Sequence, residues 1–390
     1  MSAPVLRPAR TQATWVAYAQ MGAYGAFVYS LGASTALLRD EQFTSRAVAG
    51  LHASAWALGL VVMSAANGRV TRRLGRGGAM RLGSVLMIMG ILGYTSTGPT
   101  MVTLTSVFIA GLGGALMVAG LSAFLAVQQG PSAPAAVSEA NAMGAMAGLL
   151  GAGGVGVGMV LALGWRPALW LLAGTLVALE VWRGNRLAAF NIATPARVGN
   201  SDIAQPTLPR LFWWSLLVML PAAGVEYCVA LWSADLLREF GGFEDAAAAV
   251  SLTVVVTGLI VGRIVGSRLA ERYSPEKLLI VAFAVSTTAF LVVWAINIAW
   301  VMLVFLFVSG CGIALHWPLA IARTIRVVPE QADRASGIGL LVAGVAIMIA
   351  PFALGALADV VGLRTAFLIV PLLSVFGAIM VWVRPVRLMR

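Results

Sequence analysis

Long apolar runs recur along this chain of 390 residues, and they constrain its fold more than any other feature. A helix of about twenty apolar residues spans the hydrocarbon core of a bilayer, whereas a membrane-spanning strand needs only about ten residues of alternating polarity. The runs therefore predict membrane-spanning helices. Twelve can be distinguished, at 12–37, 46–67, 79–97, 101–127, 139–163, 167–185, 211–237, 244–267, 276–296, 299–324, 335–359 and 365–384.

The composition leaves little material for a water-soluble domain. Hydrophobic residues make up 60% of the chain and charged residues only 11%, against about 25% charged in typical soluble domains. The longest polar segment, 186–210, follows the sixth run. We therefore expect an all-α membrane protein with twelve transmembrane helices in two six-helix bundles, residues 1–185 and 211–390, joined by a central cytoplasmic loop at 186–210.

The basic residues predict the orientation of the chain in the membrane. The net charge is +11, yet the chain has no basic tail and no recognisable nucleic-acid-binding module. If the N-terminus is cytoplasmic, 21 of the 26 Lys and Arg residues fall on the cytoplasmic side. Cytoplasmic loops carry such an excess, so we expect a multi-pass protein of the cytoplasmic (inner) membrane with both termini inside. The outward-facing arginines are then Arg39, Arg46, Arg166, Arg238 and Arg364.

Three sequence matches at one displacement indicate an internal duplication. The segment GWRPALWL at 164–171 matches GLRTAFLI at 362–369, 198 residues later. The loop NGRVTRRLGRGG matches GSRLAERYSPEK, and GLGGAL matches GCGIAL, at displacements of 198 to 199. Two pseudo-symmetric bundles are therefore expected, and repeats of this kind commonly hold a substrate site near the bilayer midplane at their interface.

The twelve spans, the six-plus-six repeat and the loops after spans 2 and 8 resemble the major facilitator superfamily of secondary transporters. The family loop reads Gly-x-Leu-Ala-Asp-Arg-x-Gly-Arg-Arg; here its usual acid is replaced by Arg72 in the first copy, while the second copy keeps Glu271. The resemblance implies that these loops clamp the two halves and exchange partners during transport, although the arginines alone would also serve as a topology signal. The matching positions are Gly68, Arg72, Arg73, Gly75, Arg76, Gly266, Glu271, Arg272 and, at the end of span 11, Asp359.

The chain shows no means of using ATP and no cofactor or metal site. It has no G-x-x-x-x-G-K-[ST] loop, no zinc spacing and no nucleophile elbow, and Cys228 and Cys311 lie apart within spans 7 and 10. An enzyme or a receptor with a sizeable soluble part is therefore not expected. If transport is driven by an energy source, that source must be an ion gradient. If it is not driven, the protein would be a facilitator. The expected partners are a small-molecule substrate, protons and the lipid bilayer, with the protein as a monomer.

Glu226 is the candidate for proton coupling. It lies near the middle of the span at 211–237, where a charged side chain costs a few kcal/mol or more. Desolvation makes the protonated form accessible near neutral pH, which proton coupling requires. The surrounding GVEYCVALW faintly resembles the fucose–galactose–proton symporter branch. The alternative is a structural carboxylate hydrogen-bonded to a neighbouring helix.

Other polar and aromatic side chains within the spans are candidates for the substrate cavity. His316 precedes Pro318 in span 10 and titrates near neutrality, so it is a second proton-coupling candidate or else a core histidine. Gln20 and Tyr24 share a face of span 1 by their i,i+4 spacing. The remaining cavity candidates are His52, Trp56, Tyr227 and Trp317.

Together these features predict a secondary active transporter that moves a small organic solute by alternating access, with proton coupling through Glu226. A proton-antiporting exporter of drugs or metabolites and an uncoupled facilitator remain the alternatives, and neither substrate nor direction follows from the sequence.

Overall fold

The computed structural model describes residues 10–185, 189–190, 207–270 and 272–386. Within these ranges the chain is helical, with short connections and no strand. The α-helices are α1 (Gln12–Gln42), α2 (Arg46–Tyr94), α3 (Thr100–Gln129), α4 (Ala133–Val160), α5 (Arg166–Arg183), α6 (Arg210–Leu217), α7 (Met219–Gly241), α8 (Asp245–Ala270), α9 (Pro275–Ala295), α10 (Ala299–Val327), α11 (Ala332–Val361), α12 (Leu363–Ala366) and α13 (Ile369–Val383).

These helices account for the predicted spans. Helix α2 contains two of them in 49 residues, α6 and α7 together form the span at 211–237, and α12 and α13 form the last. Among the described residues, nine helical stretches are long and apolar enough to cross a membrane by length and composition alone. The prediction of an all-α, multi-pass membrane protein is confirmed.

Gly75 marks where the chain turns between the two spans of α2. Its φ of 70° and ψ of 165° are not helical, and glycine adopts such a φ at little cost because it has no Cβ. The loop predicted after span 2 is therefore mostly helical, with a single break. Gly75, which the family resemblance singled out, has a clear structural role.

The chain divides into two compact units. The first contains the chain up to Ser30, Leu58–Gly151 and the segment that starts at Arg166; the second contains Leu31–Ala57, Ala152–Trp165 and everything from Thr207 onward. The second unit thus includes the C-terminal part of α1 and the N-terminal part of α2. The boundary predicted at 186–210 lies largely outside the described residues and stays a prediction.

The internal repeat has a structural counterpart at one end of each half. Arg166 Nε donates to the carbonyl of Thr95, 2.9 Å away, and Arg364 Nε donates to the carbonyl of Trp294 at the same distance. In both copies a glycine with positive φ stands two residues before the arginine, with φ of 79° and 82°. Each arginine thus caps the end of the third span of its half, as the sequence matches predict.

Candidate functional site

Glu226 lies in the middle of α7, and its side chain is half-buried. The stretch Arg210–Gly241, made of α6 and α7, has the length and hydropathy of a membrane span. Among the described residues, the other Asp and Glu side chains lie in loops or closer to helix ends. Partial exposure at that depth lets a carboxylate meet a ligand or a proton, which a fully enclosed group cannot do.

Tyr227 and Trp317 meet at one apolar cluster although they lie on different helices. Both are half-buried and pack against the cluster. A phenol from α7 and an indole from α10 therefore pack against the same cluster, and both groups combine an apolar face with a polar edge. The buried members of the cluster are Ala57, Ala223, Ala343, Ala346 and Ile347.

His52 and Trp56 are enclosed in α2. Only 2% of His52 and 1% of Trp56 is exposed, and His52 Nδ1 lies 3.1 Å from the carbonyl oxygen of Ala49. Neither side chain is open to a solute in this conformation, although Ala57, the next residue along, belongs to the cluster that Tyr227 and Trp317 contact.

His316 lies in the packing between α10 and α9. It is fully buried, its Nε2 is 3.2 Å from Ser286 Oγ, and its ring lies 4.2 Å from the ring of Phe283. Trp317, the next residue, packs against the cluster that Tyr227 contacts and also against a cluster that includes Phe283. These surroundings favour the core-histidine reading of His316 over the proton-coupling one.

Gln20 belongs to an ionic cluster rather than to an open surface. It is fully buried, and its amide donates to Ser84 Oγ at 3.0 Å and to Glu180 Oε1 at 3.1 Å. Glu180 also accepts from Arg81 and Arg183. We call Gln20, Arg81, Glu180 and Arg183 the Glu180 cluster. Tyr24, one turn further along α1, is half-buried.

A similar cluster closes the corresponding end of the C-terminal half. Arg323, which is 1% exposed, pairs with Glu276 and donates to the carbonyl of Arg384. In the Glu180 cluster, Arg81 likewise donates to the carbonyl of Gly184 at the end of the sixth span. We call Arg323, Glu276 and this carbonyl the Glu276 cluster. Sequence reasoning missed it, although Arg323 within a predicted span was a visible signal.

A third set of charges joins α1 to α7 and α8 within the second unit. Arg39 pairs with Asp235, whose side chain is 4% exposed. Arg238 lies 2.8 Å from Asp40 and 2.7 Å from Asp245. We call these five residues the Asp235 cluster. Burial raises the pKa of Asp40, but hydrogen bonds from Arg238 and Arg39 outweigh it, so the pKa lies below its ordinary value. The stabilisation from the Asp40 contacts is therefore fully present above the ordinary pKa of an aspartate. It is lost as the pH falls from that value through the lowered pKa of Asp40.

Asp359 joins α11 to the start of α2. Its two carboxylate oxygens accept the backbone N–H groups of Arg46 at 2.9 Å and Ala47 at 2.8 Å, where a helix N-terminus favours negative charge. The Arg46 guanidinium also lies 2.6 Å from Glu239. A side chain at Gly355 would be only 2.7 Å from the Trp232 ring and would also meet the Arg46 carbonyl. We call these contacts of Asp359 the Asp359 latch.

Most of the other positions that match the family loops are exposed or half-exposed. Gly68, Arg72 and Arg73 are exposed on α2, Arg76 is half-buried, and Arg272 is exposed. Gly266 allows close packing, since a side chain there would overlap Leu315. Glu271, the acid retained in the second copy, lies outside the described residues.

Comparison with known proteins identifies the fold. Residues 210–388 match the family model described as Major Facilitator Superfamily. A search of curated protein sequences finds no match to this chain.

Solved transporters match along nearly the whole length. The chain is similar to the nucleoside transporter NupG (TM-score 0.74, 12% identity, covering 95% of this chain and 97% of that one). It is similar to the xylose transporter XylE from E. coli in an inward open conformation (TM-score 0.75, 12% identity, 96% of each chain). The E. coli fucose:proton symporter FucP also matches (TM-score 0.62, 16% identity, 96% and 100%).

All three of these proteins are transporters. The match at residues 210–388 agrees with the family resemblance that the sequence shows, and the chain as a whole has the fold of these solved transporters.

Proposed function

We propose that this protein is a secondary active transporter that moves a small organic solute across the cytoplasmic (inner) membrane by alternating access, coupled to protons through Glu226. The observation that carries the proposal is the half-buried carboxylate in the middle of α7. A carboxylate that can be protonated on one side and discharged on the other converts a pH gradient into net movement of solute.

Tyr227, which follows Glu226 in α7, and Trp317 favour a polar, uncharged substrate. Tyr227 and Trp317 offer two aromatic faces, a hydroxyl and an indole N–H, and they share one apolar cluster. Such groups bind a solute through stacking and a few hydrogen bonds. Two of the similar structures are a nucleoside transporter and a xylose transporter, and substrates of comparable polarity are the first to screen for this chain.

The Asp235 cluster and the Asp359 latch support alternating access. Both join helices of the N-terminal half, α1 and α2, to helices of the C-terminal half. The arginine distribution assigns this end of the protein to the outside, so these contacts close the outer side in the present conformation and separate when the substrate enters from there.

Purified protein in proteoliposomes tests the coupling. Wild-type protein should accumulate its substrate when the outside is acidic. Glu226→Gln imitates the protonated carboxylate, so this variant should exchange substrate across the membrane but should not accumulate it against a gradient. His316→Gln is the control, and it should lower the rate without abolishing accumulation.

A Glu226→Gln variant that still concentrates substrate under a pH gradient would reduce Glu226 to a structural carboxylate. Accumulation only when the inside is acidic would instead favour proton-antiporting export. Equal equilibration with and without a gradient in the wild type would leave an uncoupled facilitator.

A further inference from the structure

An apolar groove runs between the start of the seventh span and α11. Its volume is about 640 Å³, and its lining is apolar except for Arg210. The walls are the side chains of Trp213 and Leu217 on one helix and Leu341 and Val345 on the other, all well exposed. Both helices lie in stretches that have the length and hydropathy of membrane spans.

The groove is closed at its deep end by close helix packing. A Cβ at Gly224 would lie 3.2 Å from Ala350 Cβ and 3.5 Å from the Leu373 side chain, so α7, α11 and α13 are in contact there. Arg210, the first residue of α6, lines the other end of the groove, and we call the apolar space between these two ends the wedge.

The exposed α11 wall of the groove faces away from the apolar cluster that Tyr227 and Trp317 contact, and Leu220 lies between the groove and the cluster because it lines one and packs against the other. Leu341, Val345 and Ile349 repeat at intervals of four residues, are 41–52% exposed, and so form one face of α11. The residues that α11 contributes to the cluster, including Ala343 and Ile347, lie about half a helical turn away and are buried. In a membrane protein, an exposed face of this composition meets lipid chains.

The open end of the groove carries positive charge. Arg210 is exposed, and among the described residues it has no carboxylate partner. A second guanidinium, that of Arg384, lies 5.9 Å from the centre of the Trp214 ring, which also lines the groove. Tryptophan is enriched at the level of lipid headgroups. Two cations and two indoles thus stand where a headgroup would lie.

We propose that this groove binds one phospholipid with an anionic headgroup from the cytoplasmic leaflet. One acyl chain fills the wedge between Leu217 and Leu341, and the phosphate and headgroup lie against Arg210 and Arg384. Basic pockets between transmembrane helices on the cytoplasmic side bind anionic lipids in this way. The site is separate from Glu226 and independent of the transport function proposed above.

Native mass spectrometry of the full-length protein tests this proposal, with phosphatidylglycerol and phosphatidylcholine of the same acyl chains added in equal amounts. The wild type should retain one phosphatidylglycerol in preference to phosphatidylcholine. Arg210→Gln should weaken that binding by about fivefold, the effect of one cation near an anionic surface. Arg268→Gln, which removes an exposed arginine from the last turn of α8, is the matched control and should leave it unchanged.

A second pair of variants tests the acyl-chain part of the site. Leu341→Trp fills the wedge and should displace the retained lipid, whereas Leu340→Trp, at an exposed position outside the lining, should not. Equal retention of the two lipids by the wild type, equal effects of the two arginine variants, or full retention by Leu341→Trp would each overturn the proposal.

Discussion

The ionic clusters at the two ends of the helices use the same residue types but connect different parts of the chain. The Asp235 cluster and the Asp359 latch join α1 and α2 to α7, α8 and α11, across the internal repeat. The Glu180 cluster joins only helices of the N-terminal half, and the Glu276 cluster only those of the C-terminal half. In the transport cycle proposed above, the contacts between the predicted halves separate, whereas the contacts within one half stay closed.

This difference determines whether a cluster must separate its charges without a large cost in free energy. A buried pair that loses one partner leaves an uncompensated charge, at a cost of about 3–5 kcal/mol. A pair with so large a cost of separation stabilises helices that stay packed together throughout the cycle. A contact that opens in every cycle needs replacement partners, and the Asp235 cluster provides them, because Arg238 lies within reach of three different carboxylates.

The largest effect is expected at Arg323, the fully buried member of the Glu276 cluster. Arg323→Gln leaves Glu276 without its guanidinium and should lower the free energy of unfolding by about 3–5 kcal/mol. Thermal unfolding in detergent measures this, with Arg268→Gln, at an exposed position in the last turn of α8, as control. If both variants unfold at the wild-type temperature, the cluster does not hold the bundle together.

A smaller effect, on conformation rather than stability, is expected at Asp235. Asp235→Asn weakens its hydrogen bonds to Arg39 and Arg238, worth about 1.5–3 kcal/mol for charged partners. The population that is open to the outside should rise by roughly tenfold or more. The readout is labelling of Ala53→Cys, a position only 4% exposed, by a membrane-impermeant maleimide in a background without Cys228 and Cys311.

Repeating the same labelling with Glu180→Gln compares a cluster within one half with the Asp235 cluster, which joins the two halves. Because the Glu180 cluster lies within one half, this variant should leave the labelling rate of Ala53→Cys at the level of the parent. Equal acceleration by both variants would remove the distinction between the two kinds of cluster.

The smallest effect is expected at Asp359. Asparagine at this position still accepts a backbone N–H from the start of α2, so Asp359→Asn should change the transport rate by only a few fold. Asp359→Ala removes the acceptor for these N–H groups and should destabilise the closed state by about 0.5–2 kcal/mol. A rate that is the same for both variants and the wild type would mean that the latch is not part of the transport cycle.

Much of the fold could be predicted because most of the predicted spans are long apolar runs that a polar or charged segment separates from the next span. The repeat was visible for a similar reason: Arg166 and Arg364 are embedded in matching segments and make the same backbone contact. The break at Gly75 was less obvious, because the sequence around it reads as a loop although most of it is helical.

The partners of the polar residues could not be predicted from the sequence. Gln20 and Tyr24 share a helix face, but only the structure shows that the amide of Gln20 is taken by Ser84 and Glu180, far along the chain. His316 and Trp317 are adjacent, yet only the structure shows that His316 is fully buried beside Ser286 while Trp317 is half-buried against the cluster that Tyr227 contacts. The spacing of residues along a helix determines which helix face each one occupies. The packing of the helices determines which residues that face contacts.

In the transport cycle proposed above, we expect the Asp235 cluster to open in every cycle while clusters within one half stay closed. Asp40→Cys with Arg238→Cys places two thiols where a cross-helix ion pair of 2.8 Å now lies. Arg10→Cys with Glu139→Cys does the same for a 3.2 Å pair within the N-terminal half. Each pair is joined by a short reducible cross-linker in proteoliposomes, and transport is measured before and after reduction. Linking 40 to 238 should stop transport reversibly, and linking 10 to 139 should leave it unchanged; transport at full rate with 40 and 238 joined would contradict the account.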